Sequence, residues 1–320
     1  MATMTLSNAA DWLRERDHFL LITHRRPDGD TLCSAAGLAA GLRRLGKTVF
    51  LLENAEAAPN LKKYVSGYFA PEDFVPAHIV SVDIASEELY PENAAIYLGR
   101  VELAIDHHIS NTGYAASSYI TESSAACGEI VYTLLRELGV RIDPETASLL
   151  YIATATDTGC FSYANTTAMT LQIASELVTA GAPNGDLNKE FFRTKSKSRI
   201  ALEVMVLESV DYYMDGSIAF VSVTREMLSR TGADETMLED IAALPGQIEG
   251  VAAGITLREQ PGGATKVSVR TNRTINANRI CAEFSGGGHA MAAGCTIKAP
   301  IPEAKRMLLE AIERIRSEKK

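Results

Sequence analysis

The sequence lacks a long apolar run, a cysteine pair at metal-binding spacing and an excess of positive charge. No stretch approaches the roughly 18 apolar residues that a membrane-spanning helix requires, so we expect no membrane partner. The five cysteines show no CxxC spacing, which argues against a disulfide framework or structural zinc and favours a reducing cytoplasm. The formal net charge of −9 argues against a broad surface for long duplex nucleic acid. This net charge is compatible with a small phosphorylated ligand that is held by a few cations.

The length of 320 residues suggests about two domains, and the first part of the chain has an α/β pattern. Short apolar stretches that end in polar residues alternate with helical segments, and they predict strands at 18–23, 47–52, 77–83 and 103–106. This alternation predicts an α/β domain with a doubly wound, mainly parallel sheet. Predicted helices follow at 127–138, 143–156 and 166–180.

The pattern breaks at Pro183 to Gly185 and continues as a basic, then helical stretch before a second α/β region. We predict a first domain over residues 1–188, a helical linker over 189–214 and a smaller α/β domain over 215–320. For the second domain the pattern predicts four strands, a short helix at Asn276 to Phe284, a glycine-rich segment and a terminal helix that begins at Pro302.

The stretch ITHRRPDGDTL, residues 22–32, places three potential metal ligands after the first buried strand: His24, Asp28 and Asp30. We expect a turn over Pro27 to Asp30 and an alanine-rich helix from about Cys33. Ligand sites form at the carboxyl ends of parallel strands. Two carboxylates and an imidazole are costly to desolvate unless a cation neutralises them. The alternative is a helix N-cap with solvated acids, and this stretch alone does not separate the two interpretations.

Three further sites repeat this pattern: Asp83 ends a strand, the triplet Asp106-His107-His108 ends another, and Asp157 ends an apolar helix. Each one alone is explained as a cap, a half-buried histidine or a turn. Together, four carboxylates about 5 Å apart would repel by about 3 kcal/mol per pair at an effective dielectric of about 20. The repulsion summed over all pairs of these carboxylates reaches roughly 20 kcal/mol, which exceeds the roughly 5–15 kcal/mol stability of a typical domain. Two divalent ions would neutralise them, with manganese expected and magnesium or cobalt as alternatives.

These motifs, HRRPDGD, Asp83, DHH at 106–108 and DTG at 157–159, resemble in order and spacing the DHH phosphoesterase superfamily. The segment GGGHAMAAG, residues 286–294, resembles the DHH-associated substrate-binding domain. The arrangement and length are most similar to the bacterial nano-RNase and pAp phosphatase branch, where pAp is 3′-phosphoadenosine 5′-phosphate. RecJ-type nucleases share the motifs but are typically longer.

The resemblance implies a site residue by residue. One metal would be bound by His24 and Asp28, the other by Asp30, His107 and Asp157, and both by Asp83. Asp106 and His108 would orient His107 or contact a phosphate, so the resemblance implies that Asp83, Asp106 and His108 take part in catalysis.

In the second domain, Gly286 to Gly288 and His289 suggest a backbone nest that opens onto a helix and binds an anion. The alternative is a tight strand–helix turn. The resemblance implies that Arg270, Gly287, Gly288 and His289 hold a substrate phosphate, whereas we expect the nearby Arg273 to be solvated.

The function implied by the resemblance is a metal-dependent phosphoesterase. It would hydrolyse short oligoribonucleotides such as pApA to mononucleotides and remove the 3′-phosphate of pAp, using water activated by two metals. Alternatives are a cyclic-dinucleotide phosphodiesterase, a RecJ-type single-strand exonuclease, a pyrophosphatase or a non-catalytic nucleotide-binding protein. The expected partners are short RNA or nucleotide phosphates, without membrane or long duplex, and a homodimer is left open.

Overall fold

The computed structural model describes residues 2–238, 241–272 and 274–317, so Arg273 lies outside the described residues. The chain divides after Thr194 into two compact units. Residues 195–214, which the sequence analysis assigned to a linker, lie in the second unit, where Leu202 and Val206 pack against Val221.

The first unit contains a sheet whose paired strands all run parallel. The strands are β1 (Ala2–Thr3), β2 (Phe19–Ile22), β3 (Val49–Leu51), β4 (His78–Val82), β5 (Leu103–Asp106) and β6 (Ser117–Ile120). Their order is β1-β6-β5-β4-β2-β3. Every residue of β2 and β5 is buried. Strands of a parallel sheet are covered on both faces, and this explains why apolar residues follow one another in these two strands. The predicted α/β fold with a parallel sheet is confirmed.

The helices of the first unit are α1 (Leu6–Glu15), α2 (Gly29–Arg44), α3 (Pro59–Val65), α4 (Cys127–Glu137), α5 (Pro144–Asp157), α6 (Ala168–Thr179) and α7 (Asn184–Asn188). Helices α1 to α6 contribute to the large core that contains Leu21, Leu38 and Leu150. A smaller core around Ile22, Ile79 and Tyr90 includes residues from short 3-10 segments. The strands thus contribute side chains to two separate cores.

Helix α2 begins at Gly29, four residues before the predicted start at Cys33. The Asp28 side chain accepts a hydrogen bond from the Thr31 backbone N–H at 3.1 Å, so Asp28 is the N-cap. The sequence Asp-Gly-Asp suggested a turn, but the cap lets the helix include it. Asp30 consequently lies in the first helical turn.

The second unit contains a mixed sheet in the order β11-β12-β10-β9-β8-β7. Its strands are β7 (Asp211–Tyr213), β8 (Ile218–Val223), β9 (Ala253–Glu259), β10 (Thr265–Thr271), β11 (Gly287–Gly288) and β12 (Ala292–Ile297). Its helices are α8 (Lys197–Glu208), α9 (Arg225–Thr231), α10 (Ala277–Ala282) and α11 (Ile301–Ser317). Only β8 and β9 pair in parallel; the other pairs are antiparallel.

Short helical segments complete the description. Those of the 3-10 type are Ser66–Tyr68, Glu87–Leu89, Glu92–Tyr97, Glu235–Leu238 and Ile241–Gln247, and one π segment spans Lys189–Arg193. Among the described residues, no helix combines the length and the apolar character needed to cross a membrane.

Candidate metal centre

Three neighbouring strands of the first sheet end beside residues that the sequence analysis singled out. His24 lies two residues after β2, Asp83 directly follows β4, and Asp106 is the last residue of β5. Because β2, β4 and β5 are adjacent and parallel, their carboxyl ends lie at one edge of the sheet.

Two helices bring the remaining aspartates to the same edge. Asp28 caps α2, Asp30 lies in its first turn, and Asp157 is the last residue of α5. The start of α2 packs directly on the end of α5: a Cβ at Gly29 would lie 2.4 Å from Thr156 Oγ1. The lack of a side chain at Gly29 therefore allows the two helix ends to approach.

The structure brings together all six side chains that were predicted to hold metals: His24, Asp28, Asp30, Asp83, His107 and Asp157. His24 Nε2 lies 3.7 Å from Asp28 Oδ1 and 3.8 Å from Asp83 Oδ2. His107 Nε2 lies 3.4 Å from Asp83 Oδ1. The same nitrogen lies 3.7 Å from Asp157 Oδ2 and 3.9 Å from Asp30 Oδ2. Asp83 thus lies between two groups of possible ligands.

Backbone carbonyls orient both imidazoles. His24 Nδ1 donates to the Arg25 carbonyl at 2.8 Å, and His107 Nδ1 donates to the Ser124 carbonyl at 3.2 Å. These bonds leave Nε2 of each ring directed at the carboxylates, with a lone pair available once that nitrogen is deprotonated. The sequence analysis did not identify Ser124, because the bond uses its backbone and leaves no residue-type signal.

Asp106 orients the ring of His108, whereas the resemblance implied that Asp106 and His108 orient His107 or contact a phosphate. Its Oδ1 accepts the His108 Nδ1–H at 2.7 Å and the backbone N–H groups of His107 and His108 at 2.8 and 3.2 Å. Its Oδ2 accepts the Asn111 amide at 2.6 Å. Asp106 is fully buried and contacts His107 through the backbone N–H, whereas the Ser124 carbonyl orients the His107 ring. A phosphate contact by His108 stays a prediction.

Asp30 is held by the N-terminus of α4. Its Oδ2 accepts from the Cys127 N–H at 2.6 Å, and its Oδ1 accepts from the Gly128 N–H at 2.9 Å and the Ser34 hydroxyl at 2.8 Å. Free N–H groups at a helix start stabilise a negative charge. This contact explains how a carboxylate that is almost completely buried is oriented within the cluster.

The cluster retains protons when no cation is bound. Burial lowers the pKa of His24, but contact with Asp28 outweighs it and raises the pKa to about 9. Burial also opposes protonation of His107, and its neighbouring aspartates raise its pKa to about 10. Burial raises the pKa of Asp157 to about 6. Burial also raises the pKa of Asp30, and the nearby charges of Asp83 and Asp157 raise it further, so that it lies well above its usual value. Protons therefore partly neutralise the repulsion among the carboxylates.

Asp83 shows the clearest fit to a cation. Its Oδ1 is buried and accepts no hydrogen bond among the described residues. Its backbone has φ of 61°, a left-handed conformation that aspartate tolerates better than most residues. A buried oxygen without a donor is costly, and a divalent cation would satisfy it. The carboxylate and imidazole donors around it are ligands suited to manganese, so the residues present fit such an ion.

A cavity of about 320 Å³ opens over the cluster. It is lined by five of the six predicted ligands together with His108, Leu89, Arg25 and Arg26. The sequence analysis assigned no role to Arg25 or Arg26. Their position between His24 and Asp28 in sequence was a usable signal.

The glycine-rich segment of the second unit differs from its prediction. It follows α10 and opens into a hairpin: β11 pairs antiparallel with β12, and the His289 N–H donates to the Ala292 carbonyl at 2.8 Å. The prediction that it opens onto a helix, and the alternative strand–helix turn, were both wrong. Close packing requires glycine here, because a Cβ at Gly288 would lie 2.5 Å from the Ala292 oxygen. On the other edge of β12, the neighbouring strand β10 places Arg270 opposite Ala292.

Two family models match the chain. The model described as the N-terminal domain of the DHH family matches residues 18–154, and the DHHA1 domain matches residues 215–318. The bifunctional oligoribonuclease and PAP phosphatase NrnA of Thermus thermophilus is 30% identical over 91% of this chain and 88% of that relative. This chain belongs to the DHH family.

Other relatives agree with this membership. The Bacillus subtilis protein named bifunctional oligoribonuclease and PAP phosphatase NrnA is 27% identical over 92% of this chain and 93% of that protein. The crystal structure of an exopolyphosphatase-related protein from Bacteroides fragilis has a TM-score of 0.84 at 26% identity. It covers 97% of this chain and 96% of that chain. The resemblance to the DHH family in both parts of the sequence is confirmed.

Proposed function

We propose that this DHH protein hydrolyses short oligoribonucleotides to mononucleotides and removes the 3′-phosphate of pAp. The observation that carries the proposal is the buried Asp83 Oδ1, which accepts no hydrogen bond from the described residues and lies between two groups of carboxylate and imidazole donors. The names of the relatives in Thermus thermophilus and Bacillus subtilis support this substrate class.

The proposed ligands divide between two divalent cations, with manganese as the expected ion. His24 and Asp28 would hold one ion, Asp30, His107 and Asp157 the other, and Asp83 would contact both. When bound, the ions would lower the pKa of a water molecule and stabilise charge on the phosphoryl oxygens. Four aspartates and two dications are formally neutral, so the substrate charge must be balanced by other groups.

The protein groups of the first unit position this chemistry. The Arg25 and Ser124 carbonyls hold the Nδ1–H of His24 and His107, so that each Nε2 is directed into the site. Asp106 holds the His108 ring through Nδ1, which leaves His108 Nε2 available to a phosphate oxygen or the leaving group. Asp83, Asp106 and His108 are therefore our proposed catalytic group.

The second unit is proposed to bind a substrate phosphate. Arg270 and Gly288 lie on either side of β12, opposite the consecutive residues Ala292 and Ala293. His289 follows at the exposed hairpin turn, and Gly287 is exposed beside it. Backbone N–H groups, a guanidinium and an imidazole are suitable partners for a phosphate. We accordingly propose residues 1–188 as the catalytic domain and 215–320 as the substrate-binding domain.

A substrate panel tests the proposal. Metal-free protein is supplied with Mn²⁺ and incubated with one substrate at a time. The substrates are pApA, longer RNA, pAp, cyclic di-AMP and pyrophosphate. We expect turnover of pApA and pAp, with Mn²⁺ required. A preference for longer RNA over pApA, or binding of pAp without turnover, would overturn the proposal.

Two further parts of the proposal concern location and assembly. We propose a cytoplasmic location, which agrees with the five free cysteines. Whether a homodimer forms is addressed by light scattering of the purified protein.

A further inference from the structure

A second cavity of about 560 Å³ adjoins the metal centre, and Arg25 lines both cavities. We call it the side cavity. Its other polar lining residues are Asn54, Glu56, Tyr90, Glu92 and Asn93. Its volume lies within the range of pockets that bind small molecules, and none of its residues is among the proposed metal ligands.

The backbone of Arg25 is fixed at the junction of the two cavities. Its N–H donates to the Leu89 carbonyl at 2.7 Å, and its own carbonyl accepts from His24 Nδ1. The side chain is exposed, and its guanidinium forms no ion pair or hydrogen bond with the described residues. A fixed backbone with an uncommitted guanidinium suits the binding of a phosphate close to the metal centre.

The walls of the side cavity carry the opposite charge. Glu56 and Glu92 line it, and Arg25 is the one cation among the described residues that line it. Glu56 is held in place because its Oε2 accepts the Arg26 N–H at 2.8 Å. Asn54 is committed to the His24 carbonyl and is buried. Beyond Arg25, the cavity is therefore suited to hydroxyl and base groups and repels a further phosphate.

We propose that the side cavity binds the 3′-terminal nucleoside of a short oligoribonucleotide, which is linked through its 5′ oxygen to the reacting phosphate, while Arg25 binds that phosphate at the junction. The carboxylates of Glu56 and Glu92 accept hydrogen bonds from the ribose hydroxyls of that nucleoside and reject a phosphate on its 3′ oxygen. In pAp the reacting 3′-phosphate carries no further nucleoside, so pAp places no group in the side cavity. This inference rests on the proposed function and adds to it an end specificity: the nucleotide in the side cavity is a terminal one with a free hydroxyl.

Two dinucleotides test the inference with the full chain and Mn²⁺: pApA, and the same molecule with an added 3′-terminal phosphate. We expect kcat/KM for cleavage of the internucleotide bond to be about tenfold or more higher for pApA, since like charges brought together are costly. Glu92→Gln should reduce this preference to about threefold or less, because it removes one of the two charges. Glu88→Gln, the same change on a neighbouring exposed residue outside the side cavity, should leave the preference unchanged.

Arg25→Gln tests the junction. We expect KM for both dinucleotides to rise about tenfold while kcat changes less, because the lost contact binds ground state and transition state alike. Titration with Mn²⁺ alone should give wild-type affinity, and Arg141→Gln, a surface change on the same unit, should have no effect. Equal kcat/KM for the two dinucleotides, or an unchanged preference in Glu92→Gln, would overturn the inference. Absence of turnover of either dinucleotide and of pAp would instead overturn the proposed function.

Discussion

Gly29, the first residue of α2, lies against the side chain of Thr156, one residue before the end of α5. This contact joins two helix ends that carry Asp30 and Asp157. The two aspartates are distant in sequence, and both lie within 4 Å of His107 Nε2. The spacing of the second group of proposed ligands therefore depends on a residue that has no side chain.

Gly29→Ala should disturb the metal centre. The added Cβ would lie 2.4 Å from Thr156 Oγ1, so the helix ends must separate. We expect a loss of about 1–3 kcal/mol in the free energy of unfolding, as for other overpacked sites, and weaker Mn²⁺ binding. Urea denaturation and calorimetric Mn²⁺ titration measure both. Gly67→Ala is the control, because a Cβ there meets nothing within 4 Å; equal effects of the two changes would contradict the prediction.

Asp83→Asn should weaken both bound ions, since its carboxylate is proposed to contact each of them. Asparagine is similar in shape and tolerates the left-handed backbone at this position. We expect turnover to fall by at least about 100-fold. Removing a residue that only hydrogen-bonds to a metal ligand typically costs about 10–100-fold, and Asp83 is proposed to be a ligand itself. Asp28→Asn should weaken only one ion. Mn²⁺ stoichiometry and affinity distinguish the variants, and two ions bound with normal affinity by Asp83→Asn would remove its bridging role.

Mn²⁺ binding should release protons at pH 7. In the metal-free protein the pKa values of His24 and His107 are raised to about 9 and about 10, so both rings are charged. A cation requires the neutral imidazoles, and its affinity should therefore rise with pH until it levels off above these values. Calorimetry in buffers of different ionisation enthalpy counts the protons. No release at pH 7 would refute the prediction.

The same raised pKa values predict how the metal-free protein responds to alkali. A histidine whose folded pKa exceeds its unfolded value stabilises the fold fully below the unfolded pKa of about 6.5. This stabilisation is lost as the pH rises through about 9 to 10. Thermal unfolding of metal-free protein between pH 6 and 10 should show the decline, and His24→Gln should make it shallower.

Asp106→Asn should reduce turnover with little loss of metal. The change keeps the shape of the side chain but removes the charge that holds the His108 Nδ1–H at 2.7 Å. Loss of such an orienting partner typically costs about 10–100-fold, and we expect that range for kcat. The pKa of His108, which the Asp106 hydrogen bond raises, should fall, and NMR titration can follow it. An unchanged kcat would exclude a role for the pair in catalysis.

Arg270→Ala should raise KM for pApA more than it lowers kcat, because the guanidinium is proposed to contribute uniform binding. Steady-state kinetics of the variant separates the two constants. Lys298→Gln, which removes an exposed cation after β12, serves as the control. An unchanged KM in Arg270→Ala would contradict the proposed phosphate contact.

The sequence by itself determined strands β2 to β5 and helices α4 to α6 of the first unit, together with the chemical groups that stand at several of their ends. Apolar stretches such as Phe19–Ile22 and Leu103–Asp106 are strands because parallel pairing buries both faces. The polar residues after them, His24 and Asp83, could be recognised because a charge at the tip of a buried element needs a partner. The choice of ligand types and the α/β class of the first unit follow from such local patterns.

Only the tertiary structure decided how these groups are oriented. The Ser124 carbonyl directs His107, the start of α4 holds Asp30, and Gly29 allows Asp157 to approach. The glycine-rich segment forms a hairpin with β12, which its local sequence did not reveal. Each of these contacts joins residues far apart in the chain, and several use backbone atoms that every residue type possesses. Long-range packing therefore determines the geometry of the site, while local composition determines its chemistry.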